Sequence, residues 1–176
     1  MKSDELSREP PTFHGLRNAT MVRLVYDTGI RLGEIPTIER MSTELQKGLL
    51  VVYGKGRKER WVPFGKKTTA ALWKYIKARD RISEARALFV TRGGRDLAYG
   101  GVNVAFRRMG LKPHTIRHSF ATRWVEGEGS EQALQSILGH TTLAMTHRYV
   151  NVATSTLKAQ HVRHSPGDRI QTHLLT

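Results

Sequence analysis

Cysteine is absent from all 176 residues. Disulfides, thiolate metal sites and cysteine nucleophiles are excluded, and redox compartment cannot be read. Long apolar stretches are missing too. No run reaches the roughly 18 residues of a membrane-spanning helix, and Met1 leads into polar Lys2-Ser3-Asp4-Glu5 rather than a hydrophobic leader. Acidic residues are scarce: fifteen Asp and Glu face twenty-nine Lys and Arg, a formal charge of +14 with a pI near 10.6. A field of that sign gathers polyanions, and nucleic acid is the commonest one a basic globular domain handles. Membrane headgroups are the rival surface, but no membrane association is expected. The location expected by default is cytoplasmic, at the nucleoid.

Nucleotide and metal signatures fail residue by residue. Gly54-Lys55-Gly56 lacks the Gly of a phosphate loop five residues earlier, where Leu49 stands, and the Ser or Thr after Lys55. A dinucleotide fingerprint needs Gly where Glu59 stands. His114 and His118 have the i, i+4 spacing of a zincin helix, but Thr115 occupies the place of its Glu. Neither a cofactor nor a metal is expected.

What is present reads as one domain, long enough to bury a core, with 39% hydrophobic residues. Residues 1–12, polar and broken at Pro10-Pro11, read as a flexible arm, 13–164 as the folded domain and 165–176 as a tail. A helix is expected from Leu16 to Thr28, capped by Gly29, then a helical turn from Arg31 to Ile35 limited by Pro36. Leu49 to Tyr53 and Arg60 to Val62 read as strands around the turn-forming Gly54 to Lys58, a hairpin with a basic tip. Lys66 to Arg79 reads as a helix with Ala70, Leu72, Trp73 and Ile76 in the core, followed by an apolar Leu88-Phe89-Val90 and a loop at Arg92 to Arg95. Further helices are expected over 102–109, 115–126, 130–138, 143–150 and 152–162. In these, Ile116, Phe120 and Trp124 form one core stripe, Ser130 is an N-cap, and Ala133, Leu134, Ile137 and Leu138 are buried. No repeat or low-complexity tract occurs. The fold class is mainly α with a small antiparallel β-sheet (α+β).

Taken singly, the residues capable of chemistry have ordinary readings. His114 and Arg117 share a helix face that is a solvated N-terminus, and His140 after Gly139 is a helix-end histidine. Tyr149 is core, and Arg31 is a surface residue paired to Glu34. Taken in order, Arg31, Lys55, His114-x-x-Arg117, Leu138-Gly139-His140 and Tyr149 resemble the motif set of the tyrosine recombinase or phage integrase family. The flanking text agrees: Thr28-Gly29-Ile30-Arg31-Leu32-Gly33-Glu34-Ile35, Gly54-Lys55-Gly56-Arg57-Lys58-Glu59-Arg60 and His114-Thr115-Ile116-Arg117-His118-Ser119-Phe120-Ala121-Thr122. The resemblance runs from about Phe13 to Ile170.

The resemblance implies the family's catalytic-domain fold and double-stranded DNA as partner. It implies site-specific recombination by strand cleavage and rejoining through a 3′-phosphotyrosine, with neither metal nor ATP. Arg31, Arg117 and His140 would then clamp the phosphate, Tyr149 would attack, His114 would accept its proton, and Lys55 would protonate the leaving 5′-oxygen. Arg57, Lys58, Arg107, Arg108, Lys112 and Arg148 are read as phosphate contacts or solvated surface, and such contacts position without reading sequence. His118 stays open between a structural hydrogen bond and a catalytic role. Relatives pass a C-terminal helix to a neighbour, which implies a homo-oligomer on DNA, a tetramer in synapsis, with residues 151–164 exchanged through Val152, Leu157 and Val162. Two features depart from the pattern. Pro36 stands where relatives continue a helix with Leu, and only about a dozen residues precede the match where relatives carry a DNA-binding domain, so a catalytic half is expected. The alternatives are a type IB topoisomerase-like nicking-closing enzyme and a non-enzymatic DNA-binding module.

Overall fold

The computed structural model describes residues 12–54, 56, 58–127, 129–139 and 158–169. Helix α1 (Phe13–Thr28) begins three residues before the apolar pattern does, because the Thr12 hydroxyl caps it by accepting from the Gly15 N–H at 3.2 Å. Met21, Leu24 and Val25 are fully buried, and α1 packs against α2 (Lys66–Arg79) and α4 (Pro113–Glu126). It ends at Gly29 (φ +63°), whose N–H bonds the Val25 carbonyl. A Cβ there would stand 2.5 Å from Phe120 Cδ1 and 2.8 Å from Leu138 Cδ2. Glycine is therefore required both by the left-handed turn and by the close approach of two other helices.

Arg31 leads into a 3-10 helix, Leu32–Thr37, with Pro36 inside it. Proline supplies no N–H and disfavours the α region for the residue before it, so the path stays tight and short. A three-stranded antiparallel sheet follows in the order β1 (Thr43–Glu44), β2 (Leu49–Tyr53), β3 (Glu59–Pro63). In the β2–β3 hairpin Val52 faces Arg60 and Tyr53 faces Glu59. Leu50, Val52 and Val62 enter the core. The two-residue β1 has no pattern of its own and was not anticipated.

Helix α2 has its expected limits, but not its expected core. Leu72 and Ile76 are buried as read, whereas Ala70 is exposed and Trp73 is 56% exposed. The inward face is Thr68, Leu72, Tyr75, Ile76 and Arg79, and at 3.6 residues per turn positions 70 and 73 fall on the other side. Tyr75 holds the aromatic core place because its hydroxyl accepts from the Val90 N–H at 3.0 Å. Trp73 instead lies under the Lys77 ammonium, 5.3 Å from the ring centroid.

Helix α3 (Tyr99–Arg108) starts before the expected Val102, taking Gly100-Gly101 into its first turn. In α4, opened by Pro113, the stripe Ile116, Phe120 and Trp124 is buried as read. Helix α5 (Glu131–Leu138) is capped by Ser130 and closed by Gly139 (φ +63°). Ala133, Ile137 and Leu138 are buried, and Leu134 is half-buried. The helix expected over 143–150 lies outside the described residues, as does the start of the one expected over 152–162. Residues 158–164 are helical (α6), and α7 (Pro166–Arg169) follows. Among the described residues no helix is long and apolar enough to cross a membrane.

Residues 165–169, assigned to a tail from the sequence, are packed on the body. The reason is buried Asp27. Its Oδ2 accepts from the Gly65 N–H and the Thr68 hydroxyl, each at 2.7 Å, and its Oδ1 accepts from the Ser165 hydroxyl. The Asp27 carbonyl meets His161 Nε2 at 2.9 Å, and the His161 and His164 rings lie against Trp124. Asp168 accepts from the Lys66 and Lys67 N–H groups at 3.2 and 3.1 Å, placing an anion on the positive end of α2.

Candidate active site

A helix C-terminus leaves carbonyls without intrahelical partners and carries partial negative charge. At the end of α5 three consecutive carbonyls are each met by a different arginine. Arg60 Nε donates to Ile137 O at 2.9 Å, Arg117 Nη2 to Leu138 O at 2.8 Å, and Arg31 Nη2 to Gly139 O at 3.5 Å. Arg117 Nη1 also donates to Gly29 O at 2.6 Å, so one guanidinium from α4 ties the ends of α1 and α5 together.

Beneath the arginines lies Glu34, with its side chain 5% exposed. Arg60 grips it with two parallel bonds, Nη1 to Oε1 at 2.7 Å and Nη2 to Oε2 at 2.9 Å. Arg31 donates its backbone N–H to Oε2 at 2.8 Å and its Nη1 to Oε1 at 3.4 Å. Burial pushes the Glu34 carboxyl up, but the bonds and charge of Arg60, and then those of Arg31, outweigh it and hold the group below its usual range. Arg117 moves the same way for a different cause. Burial first, and then the neighbouring charge of Arg31, bring it down to about 10; Glu34 opposes the shift and Arg60 adds to it. It stays charged at neutral pH. Among the described residues Arg60 and Arg31 bond the one carboxylate here, and Arg117 stands beside them, lowered first by burial and then by repulsion from Arg31. An anion entering this place relieves that repulsion.

Of the residues singled out from sequence, Arg31 and Arg117 are brought together, Arg31 with its side chain 46% exposed and Arg117 half-buried. The pairing of Arg31 with Glu34 is real, and it exists inside the cluster. His114 lies one turn before Arg117 on α4 and is exposed, as is His118. Lys58 is exposed beside the hairpin turn, and Arg107 and Arg108 are exposed in the last turn of α3. Lys55, Arg57, His140, Arg148 and Tyr149 lie outside the described residues. Gly54, Gly56 and Lys58 flank Lys55 and Arg57 in the sequence, and Gly139 at the end of α5 precedes His140.

The description "Phage integrase family" belongs to a family model that matches residues 4–156. The chain belongs to the phage integrase family. Among similar integrase-family proteins is the tyrosine recombinase XerD of Staphylococcus epidermidis, 34% identical over 165 residues, a match covering 87% of this chain and 56% of that protein. The tyrosine recombinase XerC of Chlorobaculum parvum is 33% identical over 183 residues, covering 95% and 54%. The chain thus spans about half the length of these curated relatives. The crystal structure of XerA recombinase superposes with a TM-score of 0.68 at 25% identity, covering 92% of this chain and 62% of that one. A pre-cleavage complex of XerH site-specific recombinase with its difH substrate has a TM-score of 0.62 at 22% identity, covering 86% and 45%, a likeness of fold.

Two members of this integrase-family cluster, Glu34 and Arg60, were not singled out as site residues. Glu34 had a local signal, since it stands three residues after Arg31 as in a capping box. Arg60 stood only as the last residue of the flanking text around Lys55, with nothing to pair it with Glu34.

Proposed function

We propose that this chain cuts and rejoins one strand of double-stranded DNA through a phosphotyrosine, as the chemical step of site-specific recombination. One observation carries the reading: Arg31 and Arg117 converge on the end of α5, one residue before His140 in the sequence, in a cluster that among the described residues holds three guanidiniums and one carboxylate. In this mechanism the two guanidiniums and His140 hold the non-bridging oxygens, where charge builds in the transition state. Tyr149 Oη attacks phosphorus and the bond to the 5′-oxygen breaks. His114 takes the phenolic proton, and Lys55 gives one to the leaving oxygen. The ester conserves the bond energy, so attack by a 5′-hydroxyl reverses every transfer. Removing either guanidinium is expected to slow cleavage by about 10²–10³.

Exposed Lys58, Arg107 and Arg108, with Arg57 and Arg148, serve as phosphate contacts in this reading. Replacing any one of these five cations by alanine should lower the slope of log affinity against log salt by about 0.9. The folded unit is proposed to run from 13 past 164 to at least 169, since Ser165 and Asp168 are held to the body, and assembly on DNA to proceed by exchange of residues 151–164. Val162, 56% exposed, supplies apolar surface for it. Such exchange must first release His161 and Ser165 from Asp27.

The test uses nicked suicide duplexes randomised around the nick, so that no target sequence is assumed. The wild-type chain is expected to form an SDS-resistant protein–DNA adduct that Tyr149→Phe does not form and Arg117→Ala forms far more slowly. Gel shifts without any adduct would leave a DNA-binding module and remove the enzyme.

A further inference from the structure

Arg60 stands at the centre of the cluster, yet the proposed chemistry gives it no task. Its side chain is 15% exposed, and the three nitrogens of its planar fork are committed to two partners. Nε holds the end of α5 through Ile137 O, and both Nη atoms hold Glu34, which in turn holds the backbone and side chain of Arg31. Arg60 itself belongs to β3, opposite Val52. One side chain therefore ties the hairpin, the Arg31 turn and the α5 terminus to one another.

The hairpin needs such a tie. β1 pairs only with the Leu49–Leu50 end of β2, so the rest of the hairpin is two-stranded and weak by itself, and beyond the Tyr53–Glu59 rung the closing bond is Gly54 N–H to Lys58 O at 2.8 Å. Gly56 and Lys58 are exposed, and none of the described residues lies within 4 Å of where a Gly56 Cβ would be. At the α5 end the approach is close: a Cβ on Gly139 would lie 2.9 Å from Arg60 Cζ. A buried ion pair contributes little net stability, but it fixes geometry. A lysine, lacking the fork, cannot make the same set of bonds.

We infer that Arg60 is the positioning residue that locks the Lys55-bearing hairpin to the His140-bearing end of α5, so that both reach the same phosphate. The inference rests on the recombinase reading above and deepens it. Its consequence is specific: loss of Arg60 impairs protonation of the leaving oxygen more than it impairs phosphate binding.

The experiment compares duplex pools carrying oxygen or sulfur as the 5′-bridging atom at one central step. In either case the bond from phosphorus to that atom breaks as the bond to Tyr149 Oη forms. The sulfur leaves as a thiolate, whose conjugate acid has a pKa of about 8.5, and needs no proton donor. On oxygen, Arg60→Gln and Arg60→Lys are expected to form adduct at least about tenfold more slowly than wild type, and on sulfur to recover to within about threefold, as Lys55→Ala does. Arg31→Ala stays slow on both. The double variant Arg60→Gln/Glu34→Gln leaves no stranded carboxylate, and the same sulfur recovery in that folded variant supports the role even where the single variant melts. Arg60 variants that are equally slow on both substrates, or as fast as wild type on oxygen, overturn the positioning role alone. A wild-type chain that forms no adduct with either pool overturns the recombinase reading, and the positioning role with it.

Discussion

Replacing Gly139 by alanine should destabilise the protein by about 2–4 kcal/mol, and the sum has two separable parts. The residue sits at φ +63°, ψ +46°, a left-handed conformation that costs a non-glycine residue roughly 1–2 kcal/mol. Its Cβ would also meet Arg60 at 2.9 Å from Cζ and 3.0 Å from Nε and Nη1. The guanidinium must shift, which weakens bonds to buried Glu34 of a charge-assisted kind worth about 1.5–3 kcal/mol. Urea unfolding followed by circular dichroism measures the total, and the Tm of a chain this size should fall by roughly 5–15 °C. The second part depends on Arg60 and the first does not. In an Arg60→Gln background, Gly139→Ala should therefore cost only the backbone portion, a non-additivity of about 1 kcal/mol or more. Strict additivity, or a total loss below about 0.5 kcal/mol, would refute the contact between the α5 end and the hairpin arginine.

Other perturbations follow from the same geometry. Because the folded-state pKa of Glu34 is depressed by Arg60 and Arg31 despite burial, its contribution is in place above the ordinary carboxyl range and lost as pH falls through the folded-state value. Acid titration of stability should be shallower in Glu34→Gln, and identical acid slopes would contradict the pairing. Burial pushes Tyr75 up to about 12, so its contribution is complete below the ordinary phenol value near 10 and disappears as pH rises through the folded-state value. Tyr75→Phe should lose part of the alkaline slope along with the Val90 hydrogen bond, and an unchanged slope would argue against a buried phenol. Asp27→Ala strands the Gly65 N–H and the Thr68 and Ser165 hydroxyls, and at about 1–3 kcal/mol per buried orphan it should free residues 158–169 to protease. Protection equal to wild type would mean that the segment is held by other contacts.

Periodicity made much of this fold legible. The Ile116–Phe120–Trp124 stripe, the limits of α2, and the glycine stops at Gly29 and Gly139 are local events, settled within a turn or two of helix. Trp73, expected in the core, lies outside it, because the phase of α2 and the Val90 N–H favour Tyr75. The site divided in the same way. Arg31 and Arg117 were identifiable from the motif set, and Glu34 was within reach as a capping partner. Arg60 was not, because its grip on Glu34 spans 26 residues and depends on hairpin register and the docking of α5. The anchoring of Ser165 and Asp168 was likewise hidden, since Asp27 lies 138 residues from Ser165 and no local pattern connects them.

The central claim is that a tyrosine beyond α5 attacks a phosphodiester held by the arginines at the end of that helix. Mass spectrometry of nuclease-trimmed adduct peptides tests it most directly. The account predicts a nucleotide joined through its 3′-phosphate to Tyr149, with the released strand ending in a 5′-hydroxyl. A linkage on another residue, or a released strand bearing a 5′-phosphate, would contradict it.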